Sequence, residues 1–152
     1  MAFYNENQIK GMIIELEVAK KLIELGYIVS FPYGNNARYD LLLDCGNQQY
    51  FRIQCKSASF QENNSYIVKT SNEQFTSSAR NLKIYTLDQI DFIASIIDNQ
   101  LLLYPAQLIT GKEKRFRLKK NPPANNSCIS TVNWVEDYSF EKQILPLLKN
   151  KD

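Results

Sequence analysis

The 152-residue sequence contains no histidine, and this absence restricts its chemistry more than any residue it holds. Without an imidazole there is no Ser-His-Asp or Cys-His apparatus and no histidine-activated water. Whatever reaction the chain supports must use carboxylates, lysine and a metal ion. Cysteine is scarce as well. Cys45, Cys55 and Cys128 are odd in number and form no CxxC pair, which reads as reduced thiols in a cytosolic protein rather than disulfides or a zinc site. No apolar run approaches the roughly 18 residues of a membrane span. Met1-Ala2-Phe3-Tyr4-Asn5-Glu6 lacks the basic-then-apolar order of a secretory signal. The expectation is one cytoplasmic domain over residues 1–152, with no internal repeat and enough length to bury a core.

A strong charge of one sign is also missing. Eighteen Lys and Arg against 16 Asp and Glu leave a net charge of +2, too little to announce a polyanionic partner. The distribution says more. Residues 1–76 carry 7 Lys and Arg against 8 Asp and Glu, whereas residues 77–152 carry 11 against 8, and six of those eleven fall within 112–120. A basic strand of this kind can track a phosphate backbone, although on its own it is equally a solvated surface strand.

Among what is present, a helix is expected over residues 7–25, closed by Gly26. At about 100° per residue, Lys10, Glu17, Lys20, Lys21 and Glu24 share one side. Ile9, Met12, Leu16, Ala19 and Ile23 share the other, extended by Val18 and Leu22. Glu15 falls among Val18, Ala19 and Leu22. A carboxylate there needs a cation, a metal or a wet cleft, because burial strips its hydration. Strands follow at 27–31 (ended by Pro32), 38–44, 51–56 and 66–69, the middle two joined by a turn at Cys45-Gly46-Asn47. Residues 70–82, rich in Ser and Asn, read as irregular with at most a short helix, and 83–86 as a brief extended piece. The runs 91–97 and 101–104 read as strands buried on both faces. A basic strand over 112–120, a loop over 121–126 and a closing helix within 134–148, broken near Pro146, complete an α/β (α+β) pattern with a central sheet.

The strand pair 38–44 and 51–56 carries the chemistry. Alternation along a strand puts Gln54 and Lys56 on one face and turns Cys55 away. With Asp40 nearby, a carboxylate, an amide oxygen and an ammonium at one sheet edge make a site for a hard metal ion and a phosphate. Each residue alone is an ordinary surface or turn residue; their order, with Glu15 upstream, is what stands out.

Lys10-Gly11-Met12-Ile13-Ile14-Glu15, Gly26-Tyr27, Arg38-Tyr39-Asp40-Leu41 and Ile53-Gln54-Cys55-Lys56, in that order, resemble the PD-(D/E)XK nuclease superfamily. Within it the chain is most similar to the homing endonucleases of cyanobacterial group I introns, and the likeness runs from about residue 9 to 126 through Tyr85–Asp91 and Tyr104-Pro105. The resemblance implies a restriction-endonuclease-like core with a central mixed sheet flanked by helices. It also implies Asp40, Glu15, Gln54 and the carbonyl of Cys55 as ligands of Mg²⁺ or Mn²⁺. Lys56 would act on the attacking water and the phosphate. Two positions depart from the motif. Tyr39 replaces its proline, a mild change. Gln54 replaces its second acid, which removes one unit of Coulomb attraction for the metal and leaves one metal or two open.

The implied activity is site-specific hydrolysis of double-stranded DNA, an uninterrupted tRNA gene being the kind of target a homing enzyme takes. Such a protein would be cytoplasmic and nucleoid-associated when bound. Asn35, Asn36, Arg38, Lys114, Arg115, Arg117, Lys119 and Lys120 are the candidate DNA contacts, with Arg115 and Arg117 sharing a strand face suited to a groove. One domain of this size holds one active site, so cutting both strands implies a homodimer or homotetramer. The alternatives are a Holliday-junction resolvase, a restriction-type nuclease, or a non-catalytic DNA-binding module on the same fold.

Overall fold

The structure, a computed structural model, describes residues 3–75 and 78–148. The first two residues of the segment read for a secretory signal therefore lie outside the described residues. Helix α1 spans Glu6–Glu24, close to the expected 7–25. Its start is fixed by a reciprocal cap: the Gln8 N–H donates to Asn5 Oδ1 at 2.9 Å and the Asn5 N–H to Gln8 Oε1 at 3.0 Å. This satisfies two donors that the first turn leaves unpaired. Gly26 ends it at φ 92°, a conformation costly for any side chain.

The inward face of α1 differs from the expectation. Ile14, Val18, Ala19 and Leu22 are buried, while Ile9, Met12, Leu16 and Ile23 are exposed, Leu16 by 62% and Ile23 by 58%. The helix is apolar on two sides. Both rows satisfy a helical period, and only one can lie on the sheet, so phase alone could not choose between them.

In chain order the strands are β1 (Ile28–Ser30), β2 (Leu41–Asp44), β3 (Tyr50–Cys55), β4 (Ala58–Phe60), β5 (Tyr66–Lys69), β6 (Ser71–Phe75), β7 (Arg80–Ile84), β8 (Phe92–Ile97), β9 (Gln100–Pro105) and β10 (Glu113–Phe116). The central sheet has the order β1-β2-β3-β8-β9 and is mixed: all pairs are antiparallel except β3 with β8. It separates two cores. On one face α1 packs through Val18 and Leu22 against Leu41, Leu43, Ile53, Ala94 and Leu103, closed by Phe140 and Ile144. On the other, Ile93, Ile97, Leu102 and Tyr104 meet Val68 of β5, Phe116 of β10, and Leu118. Strands β8 and β9 are thus buried on both faces, as their unbroken apolar runs predict. The second layer is the sheet β10-β5-β4. This is the expected α/β (α+β) architecture with a central mixed sheet. Among the described residues no helix is long and apolar enough to cross a membrane.

Three segments depart from expectation. Residues 70–82 are not irregular. They supply β6 and most of β7, a two-stranded antiparallel ribbon in the register Ser71↔Ile84 to Phe75↔Arg80; residues 76 and 77 between them lie outside the described residues. Along β7, Asn81 to Ile84 are all exposed, so no apolar alternation marks the strand in the sequence. The basic strand is shorter than 112–120, with only Glu113–Phe116 in the sheet and Arg117 bridging to Trp134. The closing helix is three short pieces, a 3₁₀ turn at Val135–Tyr138, then α2 (Phe140–Gln143) and α3 (Leu145–Leu148). Pro146 in the first turn of α3 is tolerated because its missing N–H has no partner there.

Leu22→Ala is expected to lower the unfolding free energy by about 2–5 kcal/mol in a urea titration. A loss under about 1 kcal/mol would put the packing face of α1 elsewhere.

Candidate active site

Asp40 lies one residue before β2, and its N–H donates to Ile53 O at 2.9 Å. Arg38-Tyr39-Asp40 therefore leads into the strand instead of forming its first half. The β2–β3 turn carries positive φ at Gly46, Asn47 and Gln48, and the Gly46 N–H donates to Asp44 Oδ1 at 2.8 Å. This turn sets the antiparallel register Leu41↔Ile53 that brings Asp40 beside Gln54 and Cys55. On its other edge β3 pairs in parallel with β8, Gln54 against Ile93 and Cys55 against Ala94. The Lys56 N–H extends that ladder to Ala94 O at 2.9 Å. With β3 held from both sides, alternation is fixed: Ile53 and Cys55 enter the α1-side core, and Gln54 and Lys56 emerge on the opposite face, as expected from the sequence.

Asp40 Oδ2 accepts two hydrogen bonds, from Gln54 Nε2 at 2.6 Å and from the Cys55 N–H at 2.8 Å. The Lys56 ammonium sits 5.3 Å from the centroid of the Tyr85 ring, within the range of a cation–π attraction. Asp40, Gln54, Lys56, Arg38, Asn35 and Asn36 line one cavity of about 640 Å³. Glu15 reaches Asp40 from the other side, through a second cleft of about 320 Å³ that also borders Asn35. Six of the residues singled out in the sequence thus meet in one hollow, and Glu15 meets them at Asp40.

The electrostatics follow from two carboxylates at the rim of an apolar core. Burial pushes the Asp40 carboxyl above its ordinary value, opposed by the Cys55 N–H and the Lys56 ammonium. Burial, then the Asp40 charge, pushes Glu15 up as well. The Cys55 thiol and the Tyr85 phenol are held in their neutral forms, first by burial and next by Asp40. For Asp40 the Lys56 ammonium only partly offsets the cost of burial. The oxygens of both carboxylates, with the Gln54 amide oxygen and the Cys55 carbonyl, are the hard donors that could hold Mg²⁺ or Mn²⁺. Among the described residues no three His, Cys, Asp or Glu side chains converge; beside Asp40 stands the Gln54 amide. In this hydrogen-bonding arrangement that amide turns its NH₂ toward Asp40, so its oxygen faces the site only after a flip of the amide group.

The basic residues further along stand apart from this hollow. The Arg115 guanidinium donates to Ser65 Oγ at 2.6 Å, and the Lys114 ammonium lies 5.9 Å from the Tyr104 ring centroid. Lys119 pairs with Asp137 at 3.3 Å and Lys120 with Asp98 at 2.6 Å. Arg117 borders a separate cleft with Arg115 and Cys128. Among the cavity-lining residues to which the sequence assigned no role are Asn72 on β6, Lys83 on β7, and Tyr85 just beyond. Strand alternation places Lys83 and Tyr85 on one side, a signal available had residues 83–86 been read with what precedes them.

The sequence profile described as PD-(D/E)XK endonuclease matches residues 5–141. Protein 5.3 of Escherichia phage T7 is 25% identical over 117 residues, 77% of this chain and 95% of that protein. A bacterial homing endonuclease, I-Ssp6803I, superposes with a TM-score of 0.76 at 16% identity, covering 97% of this chain and 99% of the other. At that identity the likeness concerns the fold. The Archaeoglobus fulgidus Holliday junction resolvase Hjc aligns with a TM-score of 0.42 at 13% identity, over 81% and 97% of the two chains.

The raised carboxyls carry a pH signature. The unfolded chain loses these protons near the ordinary values of 3.8 and 4.5, before the folded chain does. Their contribution to stability therefore falls as pH rises through that window, and the full cost is present at neutral pH. Glu15→Gln is expected to raise the metal-free Tm at pH 7 by a few degrees and flatten the acid-side slope relative to wild type. It should also shrink the Tm gain on adding Mg²⁺. An unchanged Mg²⁺ response would remove Glu15 from the metal site.

Proposed function

Because this chain belongs to the PD-(D/E)XK endonuclease family, we propose that it hydrolyses DNA phosphodiester bonds at the cavity around Asp40, with a divalent ion as cofactor. One observation carries this reading. Asp40, Gln54 and Lys56 line a single cavity whose two neighbouring carboxylates are both held above their ordinary pKa by burial. Asp40, Glu15, Gln54 and the Cys55 carbonyl would hold the ion. When bound, such an ion lowers the pKa of a water and offsets charge on the phosphate.

The rest is the work of the chain's own groups. Lys56, steadied by the Tyr85 ring and by its backbone bond to Ala94, places a positive charge where the phosphate gains negative charge in the transition state. Arg38, Asn35 and Asn36 on the cavity wall hold flanking phosphates. The basic residues Lys114, Arg115, Arg117, Lys119 and Lys120 add affinity along the duplex at a distance, through contacts that weaken with salt. A site-specific homing role is the reading favoured by the ordered residues from Lys10 to Lys56.

Cutting both strands requires two sites, and the exposed row of α1 supplies a surface for a second copy. Ile9, Leu16 and Ile23 recur every seven residues with Met12 and Ile13 between them, all exposed. A twofold axis through Leu16 sets Ile9 of one copy against Ile23 of the other, so the row is complementary to itself. Leu16→Glu is expected to give a monomer by light scattering while leaving the helical circular dichroism intact. A variant that keeps the wild-type mass would overturn this interface.

Supercoiled plasmids with and without an uninterrupted tRNA-gene sequence, incubated with Mg²⁺, test the activity. Wild type should cut the plasmid carrying that sequence, and Lys56→Ala and Asp40→Asn should lose at least about 100-fold in rate, the scale of losing one electrostatic contact to the transition state. Cutting of four-way junctions regardless of sequence would favour a resolvase. Tight, salt-sensitive binding with no cutting of any DNA would leave a non-catalytic module.

A further inference from the structure

Strands β6 and β7 pair with each other in a two-stranded sheet of their own. Free hairpins of this kind are marginal in water, so its shape depends on its root. That root is tied firmly. The Thr70 N–H donates to Lys112 O at 2.9 Å, the Tyr85 N–H to Thr70 O at 3.2 Å, and Ser71 Oγ to Lys112 O at 3.1 Å. Thr70, Ser71 and Tyr85 are all buried. Beyond the root, Asn72, Asn81, Leu82 and Lys83 are exposed. Asn72 pairs across the ribbon with Lys83, and both line the cavity that holds Asp40 and Lys56. Asn81, two residues from Lys83, shares that face and lies further from the root.

From this we infer that the β6–β7 ribbon enters the major groove of duplex DNA beside the cleaved phosphate, with Asn81 reading a base edge and Lys83 contacting a phosphate. The inference rests on the nuclease reading above and deepens it. Three observations support it. A two-stranded ribbon fits the groove, which is about 12 Å wide, since its strands are about 4.8 Å apart. The face turned to the catalytic cavity presents amides and an ammonium, whose chemistry suits adenine edges and phosphates respectively. An exposed ribbon on a buried root can also adapt along its length while its base keeps a fixed position relative to Lys56.

The rival groove reader, Arg115 on β10, is less suited. It is hydrogen-bonded to Ser65, its strand is paired in register with β5, and it does not line the Asp40 cavity. Arg115 on this view adds backbone affinity without choosing sequence.

Selection from a randomised duplex DNA pool separates these roles, with Ca²⁺ in place of Mg²⁺ so that bound DNA is recovered whole. Wild type should return a motif. Asn81→Ala should bind a random duplex as wild type does but lose preference at one or two motif positions, by about 5- to 150-fold against the selected base. Asn81→Asp keeps the shape and removes the donor, and should shift that preference from adenine toward cytosine. Lys83→Ala should keep the motif, weaken binding on every sequence and lower the salt slope by about one. Arg115→Ala should keep the motif. An unchanged motif with both Asn81 variants, or a motif lost with Arg115→Ala, would overturn the inference. A wild-type pool with no motif at all would overturn sequence-selective reading itself, a failure distinct from a motif that ignores the ribbon.

Discussion

The carboxylate of Asp40 is held at the rim of an apolar core by two hydrogen bonds, and the surrounding architecture exists to keep it there. One bond comes from the Cys55 N–H and the other from the Gln54 amide, at 2.8 and 2.6 Å. Both donors belong to β3, and neither could reach Asp40 if β3 slipped by one residue, because a slip would exchange the faces of Gln54 and Cys55. The register is therefore specified twice, by the turn at Gly46 on one side and by the parallel ladder to β8 on the other. Arg52 adds a third restraint. Its guanidinium and N–H bind Asp91 at 2.7–3.1 Å, and the Asp91 N–H returns a bond to Arg52 O at 2.8 Å. This forked pair anchors the start of β8 to β3 just before Gln54-Cys55-Lys56.

The two-sided burial of β8 makes this possible. A parallel pair needs a long crossover connection, and here that connection is the second β-layer and the ribbon in place of a helix. The chain leaves β3 at Lys56, builds β4 to β7, and returns at Phe92. The crossover passes over the face to which Gln54 and Lys56 point, so it brings Asn72, Lys83 and Tyr85 to the site as a consequence of topology. Glu15 arrives from the opposite face on α1. Asp40 stands where the two faces meet, which is why both clefts share it.

Much of the central sheet could be read from the chain because each strand had a physical reason to look like one. The apolar runs of β8 and β9 announce burial on both faces, and Gln54 and Lys56 stand out at alternating positions in β3. Gly26 bounded α1 at its C-terminal end, and Glu15 was placed by helical phase. The same phase argument misjudged Ile9, Leu16 and Ile23, because a helix with two apolar sides gives two answers and packing selects one. The ribbon was missed for a related reason: Asn81 to Ile84 are exposed in succession and leave no alternation to read. The basic run was legible as charge, but its ion pairs with Asp98 and Asp137 come from distant parts of the chain and leave no local trace.

The amide at position 54 can then be understood from the folded chain itself. A carboxylate there would face Asp40 Oδ2 across the distance now spanned by a hydrogen bond of 2.6 Å. Two unit charges that close repel by roughly 6 kcal/mol at an effective dielectric near 20, and Glu15 already adds a second anion to the cluster. With three carboxylates, one would take up a proton at neutral pH unless a metal were always bound. Glutamine replaces that repulsion with a donated hydrogen bond. The Asp40 carboxylate is thereby fixed in place, and the cost is one unit of attraction for any cation beside it. Stability of the fold and attraction for a cation pull this one position in opposite directions, and the amide sides with the fold.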